Sequence, residues 1–367
     1  MILKESYSAE WICGIQQKYK SDPILMEKVI FALTLLEQLK VSGLDFIFKG
    51  GTSLILLLRE LKRLSIDIDI IVTPKNRDAM DEVFKKVIDF GVFEEYEKHE
   101  RNMHGDIPKA HYKFNYHSKI SNKTEYILLD ILYEENLYLQ TINVPVYSQL
   151  LQMDAGRTEV KVPTIDCILG DKLTAFAPNT TGIRYGVKKE LEIIKQLFDI
   201  ANLFDIVKDV NIVKGTFDKI VAQEIKYRGI KSDSESVLND IFHTATVIAY
   251  RGKKETEHYN ELLAGISKMK PYIFGSSFNL DTAIQCASKA AYLSMQLIND
   301  KTDIKKFNGN EDIGALSISN TEFNKLNKLK KTDIQAFYYW FKAVELYERV
   351  PLEKKKLVIG PGTGLTL

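Results

Sequence analysis

The amino-acid sequence predicts an α+β chain, with a mixed sheet and flanking helices first and a mostly α-helical second half. Three observations carry this. Short apolar runs bounded by turn residues alternate with helical segments as far as Pro163. Beyond Pro163 most segments have helical period. The 367 residues, 45% hydrophobic and 27% charged, supply a sizeable core without a metal or disulfide staple. The expected division is 1–163, then a helical domain over 164–355, then a glycine-rich tail, 356–367, without regular structure.

The elements follow in order. Apolar residues at 25, 29, 33, 36 and 39 predict a helix over Ile24–Lys40, with Asp22 as cap and Pro23 in the first turn. Leu44–Phe48 reads as a strand, Lys49-Gly50-Gly51 as a tight turn, and a helix is expected from near Thr52 through Leu61. Residues 65–72 alternate apolar and acidic side chains as a strand does, and Asp78–Phe90 is an amphipathic helix. Further strands are expected at 111–116, 126–133, 144–147 and 159–162. Helices are expected at 164–177, capped by Thr164, and at 188–208, 234–250, 256–268, 280–299 and 332–348.

Composition narrows the function classes. Cys13, Cys167 and Cys286 are odd in number and lack CxxC or Cys/His spacing, so they read as reduced thiols. No stretch has the apolar length of a membrane span, and Met1–Lys20 has no secretory apolar region, which points to a cytoplasmic protein. Fifty basic and 49 acidic residues leave a net charge of +1, so overall charge gives no reason to expect or reject a nucleic-acid partner. The lysine runs at 324–331 and 352–356 read as solvated, and the six histidines as structural.

Chemistry concentrates in one stretch. Asp67 and Asp69, two apart on a predicted strand, share one face, while Ile66, Ile68 and Ile70 point to the core. Adjacent carboxylates repel unless a cation is shared, and a hard divalent ion takes such oxygens. The competing reading is an edge strand with a solvated acidic face. Upstream, Gly50-Gly51-Thr52-Ser53 lies between strand and helix, where a phosphate finds free amides and the Ser53 hydroxyl. A phosphate cradle before paired acids suits metal-assisted phosphoryl transfer, which uses two ions about 3.5–4 Å apart and a third carboxylate. Asp130, alone among the apolar residues Ile127–Leu132, is the candidate, with Glu134 behind it; the alternative is a buried acid satisfied by a structural partner.

These residues resemble a known family. Lys49-Gly50-Gly51-Thr52-Ser53-Leu54 followed by RLSIDIDIIV (63–72) is similar to the first motif of the nucleotidyltransferase superfamily. Arg63 and Ser65 before the acids resemble the AbiEii/MenT-type toxins of abortive-infection and toxin–antitoxin systems. Gly170-Asp171-Lys172-Leu173-Thr174-Ala175-Phe176 and the later Gln196–Phe204 block resemble that family's lysine and aspartate motifs. The resemblance spans about residues 40–210. It implies a nucleotidyltransferase-fold catalytic domain with a helical domain contributing to its cleft. It implies Mg²⁺ or Mn²⁺ on Asp67 and Asp69, Lys172 on the triphosphate of an NTP substrate, and Asp199 acting with it. Lys49, Gly50, Gly51, Ser53, Arg63 and Ser65 would complete the nucleotide site. The implied acceptor is RNA, notably the 3′ end of tRNA, and the implied partner is a cognate antitoxin with a winged-helix-like DNA-binding domain.

One departure stands out: residues 178–189 form a longer loop, with Arg184, Lys188 and Lys189 as its cations. From the residues alone, Lys172 is equally a surface lysine, and Asp199 a surface partner of Lys195. Transfer to a protein hydroxyl or a small molecule, and a nucleotide-binding module without catalysis, are the competing functions. Arg184, Lys188, Lys189 and Lys195 favour RNA, and the intact acids favour catalysis.

Overall fold

Asp22 accepts a hydrogen bond from the Leu25 amide at 2.9 Å, and Pro23 supplies a preset φ. The helix they start is the long one against which the N-terminal sheet is built. The structure, a computed structural model, describes residues 1–100, 107–253, 255–351 and 355. The expected tail at 356–367, most of the 352–356 lysine run and His104 lie outside the described residues.

The first of two units comprises Met1–Thr164 together with Pro271–Ser277. Its helices are α1 (Ala9–Tyr19), α2 (Pro23–Val41), α3 (Gly50–Leu57) and α4 (Met80–Asp89). Its strands are β1 (Ile47–Lys49), β2 (Ile68–Val72), β3 (Glu95–Lys98), β4 (Lys109–His117), β5 (Thr124–Tyr133), β6 (Thr141–Pro145) and β7 (Glu159–Pro163). Among the described residues they form one mixed sheet in the order β3-β4-β5-β2-β1-β7-β6. β2 runs antiparallel to β1 and parallel to β5. It is therefore central, which removes the edge-strand reading of its acids.

Burial explains the central placement. Ile68, Ile70, Ile71 and Val72 are all buried, as befits a strand covered on both faces. The core runs from α2 (Val29, Leu33, Leu36) through Phe48, Ile70 and Leu129 to Phe84 and Phe114. Phe31 stacks on Tyr116 at 3.7 Å between ring centroids, fastening α2 to β4.

The second unit, Ile165–Lys270 and Phe278–Leu367, is mostly helical among its described residues. It holds α5 (Ile165–Ala175), α6 (Glu190–Ile206), α7 (Val210–Arg228), α8 (Ser234–Ala249), α9 (Thr256–Lys268), α10 (Leu280–Ile298) and α11 (Ile334–Arg349). Asp209, Asp233, Asn279 and Asp333 accept hydrogen bonds from the first-turn amides of α7, α8, α10 and α11. Thr164, the expected cap of α5, has a buried hydroxyl without a hydrogen bond. Gly170 fits because a Cβ there would lie 2.6 Å from the Val213 carbonyl oxygen, so α5 and α7 touch backbone to backbone. The three cysteines are free thiols, and burial pushes Cys286 up to about 12. Among the described residues no helix is long and apolar enough to cross a membrane.

Candidate functional site

The pairing register places four polar side chains in one row across the first unit's sheet. Lys49 on β1 faces Asp69 on β2, Asp69 faces Asp130 on β5, and Asp130 faces His111 on β4. Directly opposed residues share a face, and neighbouring strands lie about 4.8 Å apart. The row is thus Lys49–Asp69–Asp130–His111, with buried Phe48, Ile68, Ile70, Leu129 and Ile131 alternating behind it. Asp67 lies one residue ahead of β2, and its carbonyl accepts the Thr52 hydroxyl at 2.5 Å, tying α3 to the acidic segment. Both aspartates of the pair are half-buried.

The glycine turn is shaped by its neighbours. Gly50 has φ +78°, and a Cβ on it would overlap the Asp69 carboxylate. A Cβ on Gly51 would overlap the Arg63 guanidinium and sit 2.9 Å from Ser65 Oγ. The two glycines therefore let Asp69, Arg63 and Ser65 close over the turn. The helix begins at Gly50, two residues before the expected Thr52, and ends at Leu57 rather than Leu61. Ser53, expected as a phosphate donor, is fully buried, and its hydroxyl donates to the Gly50 carbonyl at 2.8 Å.

Arg63 is likewise 6% exposed, and its Nη1 donates to the Leu64 carbonyl at 3.1 Å. A segment distant in sequence holds it there. The Leu64 amide donates to the Tyr272 carbonyl at 2.7 Å, the Phe274 amide donates to the Lys62 carbonyl at 3.0 Å, and Arg63 bridges Ile273. Phe274 then packs on Tyr19, ring centroids 4.6 Å apart.

Lys172 and Asp199 belong to the second unit, and they form a buried pair. Lys172 Nζ lies 3.0 Å from Asp199 Oδ2 and donates to Gln196 Oε1 at 2.9 Å, with side chains 7% and 2% exposed. This corrects both surface readings, since Lys172, Lys195 and Asp199 are all buried. Lys195 accordingly drops out of the exposed cations, leaving Arg184, Lys188 and Lys189 on the loop surface. That loop is tethered at both ends. Buried Asp240 accepts from the Asn179 amide and side chain and from Thr180, while Glu261 accepts from the Gly186 amide. Burial raises the Asp240 carboxyl above its ordinary range against these donors.

For a divalent metal the donor chemistry fits. Asp69 and Asp130 present hard oxygens from adjacent strands beside a turn that leaves room for the Asp69 carboxylate. Asp130 also answers to a protein partner, since His111 Nδ1 lies 2.7 Å from its Oδ1. Among the described residues no three His, Cys, Asp or Glu side chains already converge as a metal cluster. His111, read from sequence as structural, thus joins the acids, and Thr52 joins the turn. Only the register exposes the first, because residues 111 and 130 meet across two strands. Glu134, behind Asp130, follows the end of β5.

Residues 34–272 match the family described as nucleotidyl transferase AbiEii toxin, type IV toxin–antitoxin system. The chain belongs to that family. It is therefore an AbiEii-family nucleotidyltransferase of the toxin–antitoxin class, and its α+β organisation is the one expected. The match reaches past the resemblance seen in the motifs and takes in Tyr272, at the segment that holds Arg63. Two solved structures are similar to this AbiEii chain. One is JHP933 from Helicobacter pylori, 13% identical over 75% of this chain and 95% of that one, with a TM-score of 0.42. The other is a putative nucleotidyltransferase from H. pylori, 15% identical over 75% and 96%, also at 0.42. A comparison with curated proteins gave no match.

Proposed function

We propose that this AbiEii nucleotidyltransferase transfers a nucleotide from an NTP to RNA, with the 3′ acceptor end of tRNA as its target. The observation that carries the reading is the row in which Asp69 and Asp130 stand side by side on central strands next to the glycine turn. Asp67, Asp69 and Asp130 would hold Mg²⁺ or Mn²⁺. A bound divalent ion supplies charge neutralisation at the α-phosphate and at the attacking and leaving oxygens.

The chain's own residues do the positioning. Strand β2 fixes the backbone under Asp69, the Thr52 hydroxyl holds the backbone of Asp67 just ahead of it, and Gly50 keeps the phosphates close to both acids. Lys49 and Ser65 are the polar side chains beside the turn that face a phosphate. Arg63 and Ser53, buried beneath, hold the turn's shape. In the second unit Lys172, oriented by Asp199 and Gln196, is the cation the motif resemblance assigns to the triphosphate. The 3′-hydroxyl gives up its proton to solvent as its oxygen attacks the α-phosphorus, the bond to the bridging oxygen breaks, and pyrophosphate leaves with the electrons of that bond. Most of the acceleration comes from preorganised charge. The exposed Arg184, Lys188 and Lys189 favour a polyanionic acceptor over a small molecule. Blocked tRNA ends would halt translation, and a cognate antitoxin with a winged-helix-like DNA-binding domain is the expected partner in a cytoplasmic setting.

The test is incubation of the purified chain with total bacterial tRNA, Mg²⁺ and each α-labelled NTP, beside Asp69→Ala. Label on tRNA with one NTP, lost in the variant, is the expected result. Label on protein would move the reading to nucleotide transfer onto a protein hydroxyl. No label on either acceptor would overturn it.

A further inference from the structure

We infer that His111 is a positioning residue that sets the orientation of Asp130 toward a bound divalent ion. The inference rests on the metal-site reading above and extends it to a residue outside the motifs.

The geometry is built on both sides of the contact. His111 and Asp130 are register partners on antiparallel β4 and β5, so their side chains rise from the same face. His111 Nδ1 is 2.7 Å from Asp130 Oδ1, with side chains 11% and 25% exposed. A carboxylate only accepts, so the imidazole donates from Nδ1. The backbone of His111 is fixed as well, because its carbonyl accepts the His99 amide at 2.8 Å on the other side. The ring therefore stands on an immobile strand and aims one donor at one oxygen.

The sheet does not need this contact to hold its register. β4 and β5 pair over nine residues, Lys109–His117 against Thr124–Leu132, through backbone hydrogen bonds. The pairing places the donor at the one level where Asp130 neighbours Asp69. A donor on one carboxylate oxygen restricts rotation of the group and so fixes the direction in which the carboxylate presents itself to a cation. Such outer partners of metal ligands typically change metal affinity about 10–100-fold when removed.

Asparagine and glutamine at residue 111 separate this role from a merely structural one. The Asn amide nitrogen occupies nearly the place of imidazole Nδ1, whereas the Gln amide reaches beyond it. Mn²⁺ binding by the purified full chain is followed by electron paramagnetic resonance, and kcat and KM for the NTP are measured alongside. Circular dichroism first establishes that the His111→Asn and His111→Gln variants are folded. We expect His111→Gln to weaken Mn²⁺ about tenfold and lower kcat at unchanged KM, and His111→Asn to stay within about threefold of the unsubstituted chain. Equal Mn²⁺ affinities for the two variants, with Asp69→Ala losing the ion, would overturn the role of His111 alone. Unchanged Mn²⁺ binding in Asp69→Ala would overturn the metal site, and His111 with it.

Discussion

At Gly50 the backbone takes a conformation that an L side chain resists, and the space for a Cβ already holds the Asp69 carboxylate. Two penalties therefore coincide in Gly50→Ala. The left-handed φ costs about 1–2 kcal/mol, and the methyl displaces the acid that lies beside it. A shift of about 1 Å in a catalytic group costs on the order of a hundredfold in rate. We expect Gly50→Ala to remain folded with a melting temperature a few degrees lower, and to lose about a hundredfold in nucleotide transfer. Transfer at the unsubstituted rate would show that the Asp69 position is not critical. The same scale shows what the sequence could disclose. Gly50, Gly51, Asp67 and Asp69 stand out in the sequence because chemistry and spacing coincide within one short stretch. At Ser53 the sequence shows a hydroxyl but not where it points. Here the hydroxyl turns inward onto the Gly50 carbonyl.

Elements are held by contacts of differing legibility. The caps Asp22 and Asp209 act on their own helices, and local chemistry of that kind is written in neighbouring residues. Pairings across elements are not. Lys172 and Asp199, 27 positions apart, looked like surface residues until α5 and α6 met. Buried helices have no polar face, so amphipathic periodicity fades where burial is greatest: only three of the thirteen residues Met26–Gln38 have Asp22's kind of charge or its opposite, and Glu27 and Glu37 among them are buried.

A second polar joint ties α8 to the start of α9. Glu255, the residue before α9, accepts from His243 at 2.6 Å and from His258 at 2.8 Å, and His258 stacks on Tyr185. The His243 hydrogen bond, with His258 behind it, holds the Glu255 carboxyl at about 2 against an ordinary value near 4.5. A depressed carboxylate stabilises the fold above its unfolded pKa and loses that contribution as pH falls toward the folded one. The window is thus about pH 4.5 down to about 2. The side chain is 34% exposed, so screening leaves the contribution at about 1 kcal/mol. Urea unfolding should find the unsubstituted chain more stable than Glu255→Gln at pH 6, with the gap closing below pH 4. A gap independent of pH would mean that the carboxylate's charge is not what stabilises this joint.

On the scale of the whole molecule, the first unit draws on two separated stretches of chain. Residues 271–277 belong with 1–164, and they hold Lys62–Leu64 just ahead of the paired acids. Sequence reading divided the chain once, near residue 163, because a change of periodicity marks a boundary but a short returning segment leaves no periodic trace. A fragment ending at Thr164 lacks the Tyr272 carbonyl that receives the Leu64 amide. Hydrogen exchange should show Leu64 protected in the full chain and fast in the fragment, while central amides of α2 stay protected in both. Equal protection of Leu64 would mean that its neighbours hold it without the returning segment.

The returning segment also imposes an order in time. A ribosome adds about 5–20 residues per second. Some 200 residues separate Asp69 from Pro271, so the acids are synthesised roughly 10–40 s before the bridge partner of Arg63. An enzyme whose proposed target is the translation apparatus cannot finish this part of its architecture until most of its own translation is done.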